Sequence, residues 1–139
     1  MRDIENEILE PVARQIRKHA SSLSEIRRFD RCGIEGWLKV EAVFALSGMV
    51  QSINNEGPDL TLTDGTQIEL KGTTDFNPNY IRDGCVSDDV PCVLCLFLAD
   101  GSNPKRVNEI EDERVKVIYR RINDGSNDWI VGLAVPSPI

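Results

Sequence analysis

A ten-residue apolar run over residues 90–99 is the feature that most constrains the fold of this chain. It reads Val-Pro-Cys-Val-Leu-Cys-Leu-Phe-Leu-Ala and contains no charged side chain. The run is too short for a membrane span, which takes about 20 apolar residues. A strand that is apolar at every position must be covered on both faces. The run therefore predicts a central strand of a sheet that lies between two layers.

The remaining sequence supplies helices for these layers. Apolar residues at helical spacing over 3–28 predict a helix, which Pro11 either kinks or restarts. A second amphipathic helix is expected over 34–46, ended by Gly48. Asn103 and Pro104 resemble an N-cap and first helical position, so they predict a short helix that extends to about Asp112.

Three further segments have alternating polar and apolar residues, or enough apolar residues, to form strands. They are 49–53, 114–122 and 128–135. The last two flank an Asn-Asp-Gly turn. Residues 72–89 are rich in Gly, Thr, Asn and Asp, and they are expected to be a long loop with one helical turn over 78–81. The order of elements predicts an α/β (α+β) fold with a mixed central sheet flanked by helices, in a single domain over residues 1–139.

The charge balance is acidic, with a net charge of −7 over 139 residues. This counts against a large nucleic-acid footprint, because phosphate binding usually needs clustered Lys and Arg. Basic residues are nonetheless grouped in two stretches, 14–31 and 114–121. The charged N-terminus lacks the apolar core of a signal peptide, and no apolar run could span a membrane. We expect a soluble, cytoplasmic protein.

The four cysteines raise the question of a disulfide or a zinc site. Disulfides are not expected in a chain without a secretory signal. Cys92 and Cys95 have metal-like spacing, but residues three apart in a strand lie on opposite faces and cannot easily reach one ion. Buried thiols are the favoured interpretation.

Residues 57–72 carry the chemistry of the chain. They read Gly-Pro-Asp-Leu-Thr-Leu-Thr-Asp-Gly-Thr-Gln-Ile-Glu-Leu-Lys-Gly, two short strands around an Asp-Gly turn, which predicts a β-hairpin. Glu69 and Lys71 are two apart and share a face. Two acids and a lysine on one side of a hairpin suit a hard divalent cation and phosphate chemistry.

The length of the hairpin loop decides whether Asp59 joins that face. A two-residue loop at Asp64 and Gly65 would point Asp59 and Glu69 in opposite directions. A site therefore requires a loop of odd length, such as 64–66, or a β-bulge. Regular strands joined by a two-residue turn would separate the acids.

The pattern Pro58-Asp59, nine residues, then Glu69-Leu70-Lys71 resembles the PD-(D/E)xK nuclease superfamily, over roughly residues 33–99. The resemblance implies a restriction-endonuclease-like core and a metal-dependent nuclease, most simply an endonuclease acting on DNA. It implies that Asp59, Glu69 and the Leu70 carbonyl hold Mg²⁺ or Mn²⁺. Lys71 would orient or help to deprotonate the attacking water and stabilise charge on the phosphate.

The superfamily usually adds an acid from the helix before the hairpin. Glu41 lies on the inward stripe of that helix, where a carboxylate needs a cation or hydrogen-bond donors. Glu35 is instead expected to pair with Lys39 on the outer face. Glu41 is therefore the predicted helix acid, and it also belongs to the predicted metal set.

Structural explanations of the same residues remain open. Asp59 could cap local amides of its own turn, and Glu41 could reach water from the edge of its stripe. Glu69 and Lys71 could be charged residues on the solvent-exposed face of a strand.

The alternative function is an inactive nuclease-like fold that acts as a protein- or nucleic-acid-binding regulatory subunit. If the chain instead cuts nucleic acid selectively, a homodimer, a partner subunit or the structure of the substrate would supply the specificity. A small domain with no site is the third alternative.

Overall fold

The computed structural model describes residues 3–28, 33–54, 59–73, 76–87, 92–99 and 105–137. The strands are β1 (Val50–Ile53), β2 (Leu60–Leu62), β3 (Gln67–Thr73), β4 (Cys92–Leu98), β5 (Val115–Asn123) and β6 (Asp128–Pro136). A π-helical turn over Glu5–Leu9 leads into the helices α1 (Glu10–Lys18), α2 (Ala20–Arg28), α3 (Ile34–Ala45), α4 (Pro78–Ser87) and α5 (Lys105–Ile110).

The six strands form one mixed sheet in the order β1-β2-β3-β4-β6-β5. Strands β3 and β4 are parallel, and the other neighbouring pairs are antiparallel. Strand β4 lies inside the sheet, and its residues 92–97 are all buried. The predicted central strand and the predicted mixed sheet flanked by helices are confirmed.

Helices cover the two faces of the sheet with separate cores. Ile68, Leu70 and Leu94 pack with the N-terminal helices and α3 in one core. Val93 and Phe97 belong to the other core, with residues from α4 and α5. Cys92 lies in the first core and Cys95 in the second, so the prediction that these two thiols occupy opposite faces is confirmed.

The N-terminal segment is divided rather than continuous. The π-helical turn ends where α1 begins at Glu10, and Pro11 occupies the first turn of α1, where its missing N–H costs nothing. A second division falls at His19, between α1 and α2. The sequence predicts that Pro11 either kinks one long helix or marks the start of a second one. The structure shows the second of these, because Pro11 lies in the first turn of α1.

The helical turn predicted over 78–81 is confirmed as the start of α4, but the loop expected after it is wrong, because the helix continues to Ser87 and has ten residues in all. The Asn77 carboxamide oxygen accepts hydrogen bonds from the backbone N–H groups of Asn79 and Tyr80, and Pro78 follows at the first helical position. Ile81 and Cys85, one turn apart, are buried against the sheet. Asn77-Pro78 is the same start signal that predicted a helix after Asn103 and Pro104.

The short helix near residue 105 is present as α5, whereas Asn103 and Pro104 lie outside the described residues. The same holds for residues 90–91 at the start of the apolar run. Within the described ranges, none of the helices has both the length and the apolar character needed to cross a bilayer.

Candidate functional site

The hairpin has the odd-length loop that a site requires. Leu60 pairs with Ile68 and Thr61 with Gln67. The Leu62 amide donates to the Thr66 carbonyl at 2.8 Å, which closes a three-residue loop over 63–65. Gly65 has a φ of 92°, a left-handed conformation that glycine adopts without strain. The loop therefore has the odd number of residues that a site requires. It spans 63–65, one residue earlier than the 64–66 loop suggested from the sequence.

Asp59 lies just before β2, where the ladder with β3 ends. Its Oδ2 accepts a hydrogen bond from the Leu70 backbone N–H at 2.8 Å. The N–H and C=O of one strand residue point to the same side, so the Leu70 carbonyl is directed toward this end of β2 as well. The Lys39 ammonium lies 3.8 Å from Asp59 Oδ1 and donates to the Asn54 carbonyl at 3.1 Å. Asp59 thus caps a backbone amide and lies beside a cation.

Glu69 and Lys71 point to the face of the sheet that carries α4 and α5. They pair with Val93 and Cys95 of β4, which belong to the core on that side. The Lys71 ammonium lies 4.1 Å from the centre of the Tyr80 ring, within cation–π range. Tyr80 comes from α4, so the unpredicted helix supplies a neighbour of the lysine.

The ionisation of Lys71 follows from these neighbours. Burial alone would lower its pKa, but the hydrogen bond and charge of Tyr80, followed by the charges of Glu69 and Glu35, outweigh burial and raise the pKa above its usual value. A lysine with a raised pKa is a cation at neutral pH. It can stabilise negative charge on a ligand, but it is poorly suited to accept a proton.

Glu35 reaches the end of β3 from the first turn of α3. Its Oε1 accepts hydrogen bonds from the Gly72 backbone N–H at 3.3 Å and from the Tyr80 hydroxyl at 3.4 Å. The approach is close because Gly72 has no side chain: a Cβ there would lie 2.9 Å from the Glu35 Cα. The predicted pairing of Glu35 with Lys39 is therefore wrong, since Lys39 contacts Asp59 and Asn54 instead.

Glu41 is buried, as its position on the inward stripe predicts, with only 7% of its surface exposed. Its Oε2 is 2.9 Å from His19 Nδ1 and accepts a hydrogen bond from the Gln15 amide at 3.1 Å. These partners belong to the N-terminal segment, not to the hairpin. The prediction that Glu41 is the helix acid of the site is corrected: Glu35 is the α3 carboxylate near Lys71.

The hairpin offers oxygen donors that could hold a divalent cation. Two carboxylates and a main-chain carbonyl are oxygen ligands of the type that Mg²⁺ prefers. Asp59 already contacts the Leu70 main chain, and Glu69 is the next residue of the same strand. Across the described ranges, however, no three His, Cys, Asp or Glu side chains are grouped closely enough to hold a metal. The donors present are of the chemical type that Mg²⁺ takes, and they would have to be supplemented by water ligands.

Most basic residues of the second basic stretch, 114–121, form ion pairs with acidic side chains. Arg120 contacts Glu5 at 2.9 Å and Glu10 at 3.0 Å, and the charge and hydrogen bonds of these acids raise its pKa. Arg114 pairs with Asp112 at 3.1 Å. These arginines add little positive potential for a phosphate backbone.

Sequence reasoning missed Tyr80, Lys39 and the role of Glu35. Tyr80 follows the helix start at Asn77 and Pro78, so recognising α4 would have placed an aromatic residue beside β3. Nothing in the sequence pairs Lys39 with Asp59. Comparisons with protein-family models, with curated proteins and with solved structures found no match to this chain.

Proposed function

We propose that this chain is a Mg²⁺-dependent nuclease, as its resemblance to the PD-(D/E)xK superfamily implies. The proposed substrate is DNA, and the proposed location is the cytoplasm. The register of the hairpin carries the proposal. A three-residue loop lets Asp59 contact the Leu70 main chain, beside Glu69 and Lys71. A loop of even length would have separated these groups.

Each residue of the hairpin then has a distinct role. Asp59, Glu69 and the Leu70 carbonyl would hold the ion, which when bound polarises the scissile phosphate and lowers the pKa of its water. Lys71 would balance negative charge on the phosphate as a permanent cation, which the raised pKa favours over proton abstraction. Glu35 would orient Lys71 through Tyr80.

The test is cleavage of supercoiled plasmid and of single-stranded oligonucleotides in Mg²⁺ or Mn²⁺, with EDTA as the blank. We expect Asp59→Asn, Glu69→Gln and Lys71→Ala each to lower the rate by about 100-fold or more. Lys116→Ala is the matched control, because this lysine is exposed on β5, away from the hairpin. Cleavage that persists in Lys71→Ala, or wild-type protein that neither cleaves nor binds Mn²⁺, would contradict the proposal.

A second candidate is a nuclease-like fold that binds a partner without catalysis. Two observations favour it: the described residues offer no group of three metal-binding side chains, and Lys39 supplies a positive charge beside Asp59. The acidic net charge of −7 points the same way. In this second candidate the Asp59 carboxylate has only a structural role, in which it accepts the hydrogen bond from the Leu70 backbone N–H of β3.

Calorimetric titration with Mn²⁺ separates the two candidates. The nuclease requires a heat of binding that Asp59→Asn abolishes while the fold stays intact. The binding subunit predicts no metal-dependent heat in either protein. It also predicts that Asp59→Asn lowers stability by about 1 kcal/mol, since the carboxamide oxygen still accepts from the Leu70 amide but the hydrogen bond loses its charge assistance.

A further inference from the structure

An exposed apolar surface lies on α3 and the edge strand β1, on the opposite face of the sheet from Glu69 and Lys71. Phe44 is 67% exposed, Val40 53% and Ile53 54%. Val40 and Phe44 are four residues apart and share one face of the helix. Together with Lys39 and Val43 they line a groove of about 300 Å³. We call this the α3 groove.

A second depression, of about 180 Å³, adjoins the α3 groove. Phe44 lines both, and the second depression also includes Pro11, Arg14, Gln15 and Lys18 of α1. Arg14 and Lys18 are exposed and lie four residues apart, so they point the same way. Phe44 is thus an aromatic ridge between an apolar groove and a basic one.

The charge of this surface is opposite to that of the chain. Among the described residues, the two depressions are lined by the cations Lys39, Arg14 and Lys18 and by no Asp or Glu. Lys39 contacts Asp59, so the charge available to a ligand comes from Arg14 and Lys18, although the net charge of the chain is −7. Glu41 belongs to the same helix, but it is buried beneath and bound to Gln15 and His19. A basic, apolar surface on an acidic protein is complementary to an acidic, apolar ligand.

We propose that the α3 groove and its basic neighbour bind an acidic amphipathic segment of a partner protein, presented as a helix. Apolar side chains of the segment would pack against Val40, Phe44 and Ile53, as in other helix-in-groove complexes. Its carboxylates would meet Arg14 and Lys18. The apolar lining of the larger groove favours this ligand over a nucleic-acid backbone, which offers no apolar side chain to fill it. This inference does not depend on the nuclease proposal.

Fluorescence anisotropy with synthetic peptides tests the proposal. The probe is a labelled 16-residue amphipathic helix with Glu on one face and Leu and Trp on the other. One control peptide carries Lys in place of Glu, and another carries Ser in place of Leu and Trp. We expect the acidic probe to bind with a Kd below about 100 µM, at least tenfold more tightly than either control.

Protein variants locate the binding surface. Phe44→Ser and the double variant Arg14→Glu/Lys18→Glu should each weaken binding at least tenfold, and Lys116→Glu should leave it unchanged. All these positions except Phe44 are exposed charges, and Phe44 is itself mostly in solvent, so the fold should tolerate the changes. Circular dichroism and the urea midpoint verify that each variant is folded.

Three results would overturn the proposal. The first is equal binding of the acidic and basic peptides. The second is concentration-dependent dimerisation in sedimentation equilibrium that Phe44→Ser abolishes, which would assign the surface to a second copy of this chain. The third is an oligonucleotide that competes fully with the acidic peptide, which would assign the surface to nucleic acid.

Discussion

At the scale of single residues, the environment of a side chain decides its chemistry more than its identity does. Glu35 and Glu41 lie on the same helix, yet one caps the Gly72 amide beside Lys71 and the other is buried against His19. The same holds for the thiols. Burial raises the pKa of Cys92 and of Cys95 to about 12, and burial together with the Asp112 charge raises that of Cys85 to about 11.

These values predict inert thiols in the folded protein. At pH 8 about one Cys85 thiol in a thousand, and fewer of the others, would be ionised, and the thiolate is the reactive form. In a Cys32→Ser variant, which removes the cysteine outside the described residues, Ellman's reagent should label almost no thiol at pH 8. After unfolding in guanidinium, all three remaining thiols should react. Rapid labelling of native protein would contradict the burial of these residues.

At the scale of elements, the crossing of α3 over β3 holds the site together. Gly72 permits it, because a Cβ would meet the Glu35 backbone at 2.9 Å. Backbone atoms cannot swing aside as the end of a flexible side chain can, so the helix would have to shift. The hairpin loop acts in a similar way, since one residue more or fewer would turn Asp59 away from Glu69.

Gly72→Ala should therefore destabilise the protein by about 1–3 kcal/mol, measured as the midpoint of urea unfolding. Gly36→Ala is the matched control. Gly36 lies in α3, and apart from the backbone of its own helix no heavy atom of the described residues lies within 4 Å of an added Cβ. Alanine there should therefore stabilise the protein by roughly 0.5–1 kcal/mol. A Gly72→Ala protein as stable as the wild type would show that α3 does not press on β3.

At the scale of the whole molecule, ion pairs join the N-terminal helices to the far edge of the sheet. Arg120 of β5 contacts Glu5 and Glu10, more than 100 residues earlier in the chain. The hydrogen bond from Arg120, with the charges of Arg120, Arg17 and Arg14, outweighs burial and lowers the pKa of Glu10. Asp112 also has a lowered pKa, chiefly through the Arg114 backbone N–H.

A carboxyl group with a lowered folded-state pKa stabilises the protein above its ordinary pKa and loses that contribution as the pH falls through the folded value. The ordinary values are 4.5 for Glu10 and 3.8 for Asp112. The thermal midpoint should therefore fall as the pH drops from 5 to 3. Glu10→Gln should reduce this fall, whereas Glu113→Gln, at an exposed position before β5, should not. Equal acid sensitivity in wild type and Glu10→Gln would disprove the contribution of Glu10.

Much of the architecture follows from the sequence alone. The apolar run fixed β4 as a central strand because a strand without polar residues must be covered on both faces. Helical and alternating periodicities placed α3, the hairpin and the two last strands, since burial of one face imposes a period of 3.6 or 2. The two-residue alternation of side chains along a strand likewise predicts that Asp59 and Glu69 need a hairpin loop of odd length to share a face.

Only the tertiary structure decided which side chains meet. The rotation of α3 about its axis selects Glu35 over Glu41, and that rotation depends on the close approach at Gly72 and on His19, which lies between α1 and α2. Tyr80 reaches Lys71 because α4 packs beside β3, and Lys39 reaches Asp59 across the end of a strand. These contacts join residues far apart in the chain, and periodicity reports only which face of an element is buried, not what covers it.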